Sequence, residues 1–310
     1  MERFDSAFQK FTPSEAVPLA TALANSQAIK LGIRGLLIKG PLATHQNLRS
    51  DRTSADVDVL VEPNRVSDYL EAFRARGWTQ RYDFPDHPKI VAPHSVTLVH
   101  PEWPCDLDIH YRWPGFFTDP ASAFEKLWSE RINLSLAHQQ ILTPSWRHHA
   151  LIVALHSLRT PGSINGANDL ALVVKSLNDT LSTSEKLEFA SELEALGASE
   201  AGAPLLKAIG AEIQEPGIPS DEFLAWKLSG ESAGLKGVGW AIALRQAKLA
   251  DRPRIIFRAV FPSLESLRTG YPELSHHALW PLRIWAKRLS VGISDLKAVR
   301  KTVRKVKREH

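Results

Sequence analysis

The sequence predicts an α+β protein: a mixed-sheet core over residues 1–119, followed by a mainly helical C-terminal domain over residues 120–310 that ends in a basic tail. Two observations carry this. Up to residue 113, short apolar or alternating runs bounded by Gly and Pro interleave with amphipathic stretches. After residue 120, segments such as HHALIVALHSLRT, NDLALVVKSLND and SEKLEFASELEALGA have a helical period, and no stretch reads as a strand. The chain of 310 residues is long enough for one large domain or two ordinary ones.

The elements follow in order. Pro13, Ser14 and Glu15 open a helix whose apolar stripe is Leu19, Leu23 and Ile29, extending to about residue 31. Leu36–Ile38, bounded by Gly35 and Gly40, reads as a short buried strand, and residues 41–49 as a short helix after it. ADVDVLV is the next strand. Pro63-Asn64 turns it into a second amphipathic helix with Tyr69, Leu70 and Phe73 on its apolar face and Gly77 at its end. WTQRYDF, SVTLVH and DLDIHYRW then read as strands joined by Pro-rich turns.

Composition excludes several classes. The single cysteine, Cys105, allows neither a disulfide framework nor a cysteine zinc site, and it lacks a base partner. The first thirty residues are charged throughout and carry no signal-peptide pattern; no apolar run is long enough to span a membrane. A cytoplasmic location is expected. G-x-S-x-G, Walker and G-x-G-x-x-G patterns are absent. Residues 287–310 hold nine Lys/Arg against Asp295 and Glu309, a net of +7, which leaves the rest of the chain at −3. Val299, Val303 and Val306 are spaced for a basic amphipathic helix there, packed on the body or contacting RNA or another polyanion.

The chemistry concentrates on Asp56 and Asp58. Alternation along a strand points both carboxylates to one face, a little under 7 Å apart, while Val57, Val59 and Val61 face the core. Two such charges are tolerated when solvated or when a cation neutralises them, and Mg2+ takes carboxylate and phosphate oxygens in one shell. CDLDIHYRW repeats the pattern with Asp106, Asp108 and His110 on one face. If the two strands are neighbours, Asp106 or Asp108 supplies a third carboxylate, and three carboxylates accommodate two metals. Lys39 and Gly40, after the LLI strand, are placed to meet phosphate.

The succession LLIKG, then Arg52-x-x-x-Asp56-Val-Asp58-Val-Leu-Val, then Asp108-Ile-His110-Tyr-Arg-Trp, resembles the DNA polymerase beta-like nucleotidyltransferase superfamily, and most closely its bacterial branch of uncharacterised nucleotidyltransferase-family proteins. FPSLESLRTGYPE, residues 261–273, resembles a segment near the end of such proteins. The resemblance implies a nucleotidyltransferase core in which Asp56, Asp58 and Asp108 are catalytic and hold metal, two Mg2+ ions with Mn2+ as the alternative. It implies that Lys39, Gly40, Arg52 and His110 contact the NTP. Lys39-Gly40 stands where better-known members carry Gly-Ser, so a serine hydroxyl is missing. The implied activity is transfer of a nucleotidyl group from an NTP to an acceptor, whether small molecule, peptide, protein or RNA. A phosphotransferase using the same site and a non-catalytic nucleotide- or RNA-binding module are the alternatives. Of the remaining candidates, His148 and His149 read as structural; His156 and Asp169 flank SLRTPGSINGAN and could close over the nucleotide, though structural roles are favoured.

Overall fold

The computed structural model describes residues 11–81, 94–160, 162–211, 219–231, 244, 247–261, 263–264 and 280–285. The described residues 11–81, 94–158 and 162–211 form one compact unit, and 159–160 with those from 219 onward belong to a second. The basic tail of residues 287–310 lies outside the described residues, as does most of FPSLESLRTGYPE.

In the first unit, helix α1 spans Pro13–Leu31. It starts from a capping box in which the Glu15 carboxylate accepts from the Thr12 amide at 2.9 Å, and stops at Gly32, whose φ of 61° suits glycine. Strand β1 (Gly35–Ile38) leads into the short helix α2 (Gly40–His45). Strand β2 spans Asp56–Val61, and a single 3-10 turn at Pro63–Arg65 delivers helix α3, Val66–Arg74. Strands β3 (Thr79–Gln80), β4 (Ser95–His100) and β5 (Trp103–His110) follow; of the WTQRYDF run only Thr79 and Gln80 are strand among the described residues.

The sheet order is β1-β2-β5-β4-β3. The β2–β5 pair is parallel and the others are antiparallel, so the sheet is mixed, as the sequence predicts. Val57, Val59, Val61, Leu107 and Ile109 share one face and bury against α1 and α3 residues, among them Ala24, Tyr69 and Phe73. Tyr69 also donates its hydroxyl to the Ala24 carbonyl at 2.6 Å, so the two helices are joined by a satisfied polar contact inside the core. The opposite face of β2 carries the aspartates and then Leu60, which lines a small cavity with Trp113, Phe116 and Phe124.

After helix α4 (Pro120–Ser129) the structure departs from the expected all-helical run: Ile132–Leu136 (β6) and Gln139–Thr143 (β7) pair as an antiparallel hairpin. Its two-residue turn is Ala137-His138, with φ of 49° and 58°. Such turns need positive φ at both positions and ordinarily use Asn-Gly or Asp-Gly, so the usual sequence signal is missing. Asn25 of α1 donates to the Gln140 carbonyl at 3.0 Å and accepts from the Leu142 amide at 3.2 Å, which docks β7 on α1. Helices α5 (Trp146–Arg159), α6 (Ile164–Thr180), α7 (Thr183–Ala195) and α8 (Ser199–Ala208) then follow the periodicity of the sequence. Helices α9 (Asp221–Glu231) and α10 (Arg252–Val260) lie in the second unit. Among the described residues, no helix is long and apolar enough to cross a membrane.

Candidate metal and nucleotide site

Parallel pairing of β2 with β5 sets Asp56 opposite Asp106, Asp58 opposite Asp108 and Leu60 opposite His110. Because side chains alternate along both strands, Asp58, Asp108 and His110 stand on one face. One potential ligand atom from each of these three lies within 4.8 Å of the other two, and theirs is the group of this kind found among the described residues. Asp56 stands two residues back along β2, half-buried and outside that group. Asp106 is directed elsewhere: it accepts from the Arg81 guanidinium at 2.6 Å.

Asp58 is the most constrained of the carboxylates. Its Oδ2 is 2.8 Å from Lys39 Nζ and its Oδ1 is 2.9 Å from His110 Nε2. Burial opposes its charge, yet Lys39 and His110 hold its carboxyl below the usual range. An ionised carboxylate only accepts, so His110 Nε2 carries the proton and donates it. His110 Nδ1 is buried without a partner, and the ring packs 5.1 Å from that of Trp113. Asp108 accepts from the Thr97 hydroxyl. Burial and the neighbouring Asp58 charge raise the pKa of Asp56, while Lys39 and Arg49 counter them.

Lys39 sits at the junction of β1 and α2 with φ 60° and ψ −149°, a backbone region natural to glycine. A buried histidine steadies it: the Lys39 amide donates to His149 Nε2 at 2.7 Å, and His149 Nδ1 donates to Gln46 Oε1 at 2.7 Å. Burial pushes the His149 pKa down to about 3, so the ring stays neutral and can accept. The Lys39 amide is therefore engaged by His149, while its ammonium reaches Asp58 and lies 5.9 Å from the centre of the Trp113 ring. Burial disfavours this ammonium, but Asp58, Asp56 and Asp108 outweigh it and its pKa is raised. Gly40 follows with φ 47°, and a Cβ there would meet Ser54 Oγ at 3.5 Å.

Arg52 does not present its guanidinium alone. It makes a two-pronged pair with Asp169 of α6, Nη1 to Oδ1 at 2.7 Å and Nη2 to Oδ2 at 2.6 Å, and also donates to Ser50 Oγ. Asp169 thus holds the loop before β2. His156 is exposed, with its ring 6.4 Å from that of Trp113. Sequence reasoning missed three contributors: Thr97, the His149–Gln46 relay, and Arg49, which donates to the Arg52 carbonyl at 3.3 Å. None carries a local signal, since each acts through the fold and not through spacing. Cys105 is buried, and burial pushes its thiol up to about 11, which keeps it protonated at neutral pH.

A divalent ion suits the carboxylates present. They offer hard oxygen donors from adjacent strands, and the negative charge there exceeds what Lys39 alone offsets. Imidazole favours other metals, and with the proton on His110 Nε2 committed to Asp58 only the unpartnered Nδ1 of this ring keeps a lone pair.

The sequence model of a family described as uncharacterised nucleotidyltransferases matches residues 18–209. No curated protein matches the chain. Among solved structures, an antigenic nucleotidyltransferase-like protein from Paracoccidioides brasiliensis is 16% identical, aligns over 65% of this chain and 95% of its own, and has a TM-score of 0.40. A lincosamide antibiotic adenylyltransferase with lincomycin bound is 15% identical over 53% and 98% of the two chains, with a TM-score of 0.35. An antibiotic-resistance factor with substrate-regulated conformation dynamics is 13% identical over 63% and 96%, with a TM-score of 0.40.

Proposed function

From the premise that this chain belongs to the uncharacterised nucleotidyltransferase family, we propose that it transfers a nucleotidyl group from an NTP to an acceptor hydroxyl or phosphate. Asp58 and Asp108, with Asp56 two residues back on the same face of β2, would hold the divalent ions, Mg2+ or Mn2+. The observation that carries this reading is the register that sets Asp58 beside Asp108 across a parallel strand pair. When bound, the ions would neutralise phosphate charge and lower the pKa of the attacking hydroxyl. The chain's own residues do the positioning. His110 and Lys39 fix both oxygens of Asp58. Thr97 orients Asp108. The clasp of Arg52 on Asp169 holds the loop that enters β2. In this chemistry positioning and charge supply most of the rate, and no nucleophilic side chain is needed.

The test is a transfer assay with Mg2+ and each NTP labelled at the α- or the γ-phosphate, with cell extract as the acceptor source. Label from the α position should appear in a product. Label from the γ position alone would replace nucleotidyl with phosphoryl transfer. Specific binding of unreacted NTP with no labelled product would leave a nucleotide-binding module.

A further inference from the structure

The loop of residues 46–55 carries two guanidinium groups, and the fold uses them differently. Arg52 is saturated by Asp169, whose side chain is only 7% exposed, and by Ser50. Arg49 is half-buried, and its one hydrogen bond among the described residues is the 3.3 Å contact to the Arg52 carbonyl. No carboxylate among the described residues lies in ion-pair range of it. Several other guanidiniums do hold carboxylates: Arg34 holds Glu62 and Glu125, Arg81 holds Asp106, and Arg147 holds Glu185, Glu188 and Glu192, whereas the half-buried Arg112 and Arg159 share with Arg49 the lack of an ion pair among the described residues.

A half-buried guanidinium with most of its five donors unengaged is costly unless an anion completes it. Burial and the adjacent Arg52 charge both lower the Arg49 pKa, and Asp169, Asp56 and Asp58 pull the other way. Arg49 therefore lies in the field of the same carboxylates that form the site. Those carboxylates are not its partners by contact. Lys39, the other cation at the site, is spent on Asp58.

We propose that Arg49 binds the polyphosphate chain of the NTP, and that the Arg52–Asp169 clasp is the positioning element that aims it. The proposal rests on the NTP-dependent transfer proposed above. The planar guanidinium suits two oxygens of one phosphate group, which an ammonium cannot match. With Arg52 fixed to Asp169 at both nitrogens, the carbonyl of Arg52 becomes a fixed acceptor for Arg49, which sets the direction of its remaining donors.

The experiment titrates the full-length protein with magnesium tripolyphosphate, a probe without a base, by calorimetry. Ribose 5-phosphate serves as the monoester comparison, and four non-hydrolysable NTPs test the underlying reading. Arg49→Ala should weaken tripolyphosphate binding by about tenfold or more, with Arg49→Lys recovering only part of it. Ribose 5-phosphate binding should change little in either variant. Asp169→Asn should also weaken tripolyphosphate binding, and Arg49→Ala with Asp169→Asn together should be no weaker than Arg49→Ala alone, as expected if Asp169 acts through Arg49. A uniform loss from structural damage would add to the Arg49→Ala effect instead. Equal affinity in wild type, Arg49→Ala and Arg49→Lys overturns the role of Arg49 and leaves the nucleotidyltransferase reading standing. If Arg49→Ala does not fold, a folded Arg49→Lys with unchanged affinity overturns it equally. A greater loss for ribose 5-phosphate than for tripolyphosphate would assign Arg49 to an acceptor phosphate and overturn the proposal. A wild type that binds none of the four NTPs and no tripolyphosphate removes the reading itself, and the proposal with it.

Discussion

The ammonium of Lys39 stands 2.8 Å from Asp58 Oδ2, with the two side chains 17% and 3% exposed. A charge pair this enclosed binds each partner to the other's fate. Removing one leaves the other buried with weaker compensation, from Asp56 and Asp108 for Lys39 and from His110 for Asp58, at a cost of up to about 3–5 kcal/mol. Asp58→Asn should therefore abolish transfer and also lower stability. Adding Lys39→Met should restore much of the stability without restoring transfer. Chemical denaturation of the two variants beside an activity assay checks this, and a stable Asp58→Asn protein would show that Lys39 finds another partner.

Asp108 separates metal binding from stability. It is only half-buried, and an asparagine can still accept from the Thr97 hydroxyl. Asp108→Asn should weaken Mn2+ binding by about tenfold or more while moving the melting temperature little, since a lost carboxylate serves the ion more than the core. Paramagnetic resonance of free Mn2+ during titration gives the affinity. Chelation of divalent ions should stop transfer by the wild type.

The backbone of Lys39 supplies a cleaner comparison. Lys39→Ala and Lys39→Gly both lose the ammonium and differ chiefly in whether the residue tolerates φ 60° and ψ −149°. Glycine should be the more stable of the two by about 1–3 kcal/mol, the usual cost of holding a side-chain-bearing residue in that region. Denaturant midpoints of the two variants measure it.

Acid sensitivity should come from two buried histidines before the carboxylates titrate. Burial pushes His149 down to about 3 and His148 down to about 4, against about 6.5 for an unfolded histidine. The unfolded chain takes up protons that the folded chain refuses. Stability is thus full above the unfolded value and falls as pH drops from about 6.5 toward 4, by about 1 kcal/mol per pH unit for each histidine. Asp56 and Glu192, both raised by burial, act in the opposite sense at the lower end of that window and should ease the slope. Urea midpoints between pH 7.5 and 4.5 will show it, and His149→Gln should remove about half of the fall.

The sequence carried the alternation of Asp56-Val-Asp-Val and of Asp106-Leu-Asp-Ile openly, because a strand's period of two is local. It carried the helices after residue 145 for the same reason. What it hid depends on distance or on unusual backbone. The Arg52–Asp169 pair spans 117 positions, so the sequence alone leaves open whether this arginine reaches a phosphate or pairs with an acid, and cannot name the acid. The β6–β7 hairpin was hidden by Ala137-His138, residues that seldom occupy such a turn. Arg49 lay unmarked in a loop, and only the commitment of its neighbour singles it out.

The place of β5 in the sheet has a consequence for how the chain is made. β5 is the last of the five strands to leave the ribosome, yet it lies between β2 and β4. Until residue 110 emerges, one long edge of β2 has no neighbour, a condition that invites pairing with another nascent chain. Asp56 and Asp58 are carried on that strand, and in that interval they repel a second copy of themselves. The carboxylates that define the finished site would thus also guard the unfinished one, and neutralising them should raise aggregation during synthesis more than it raises aggregation of the folded protein.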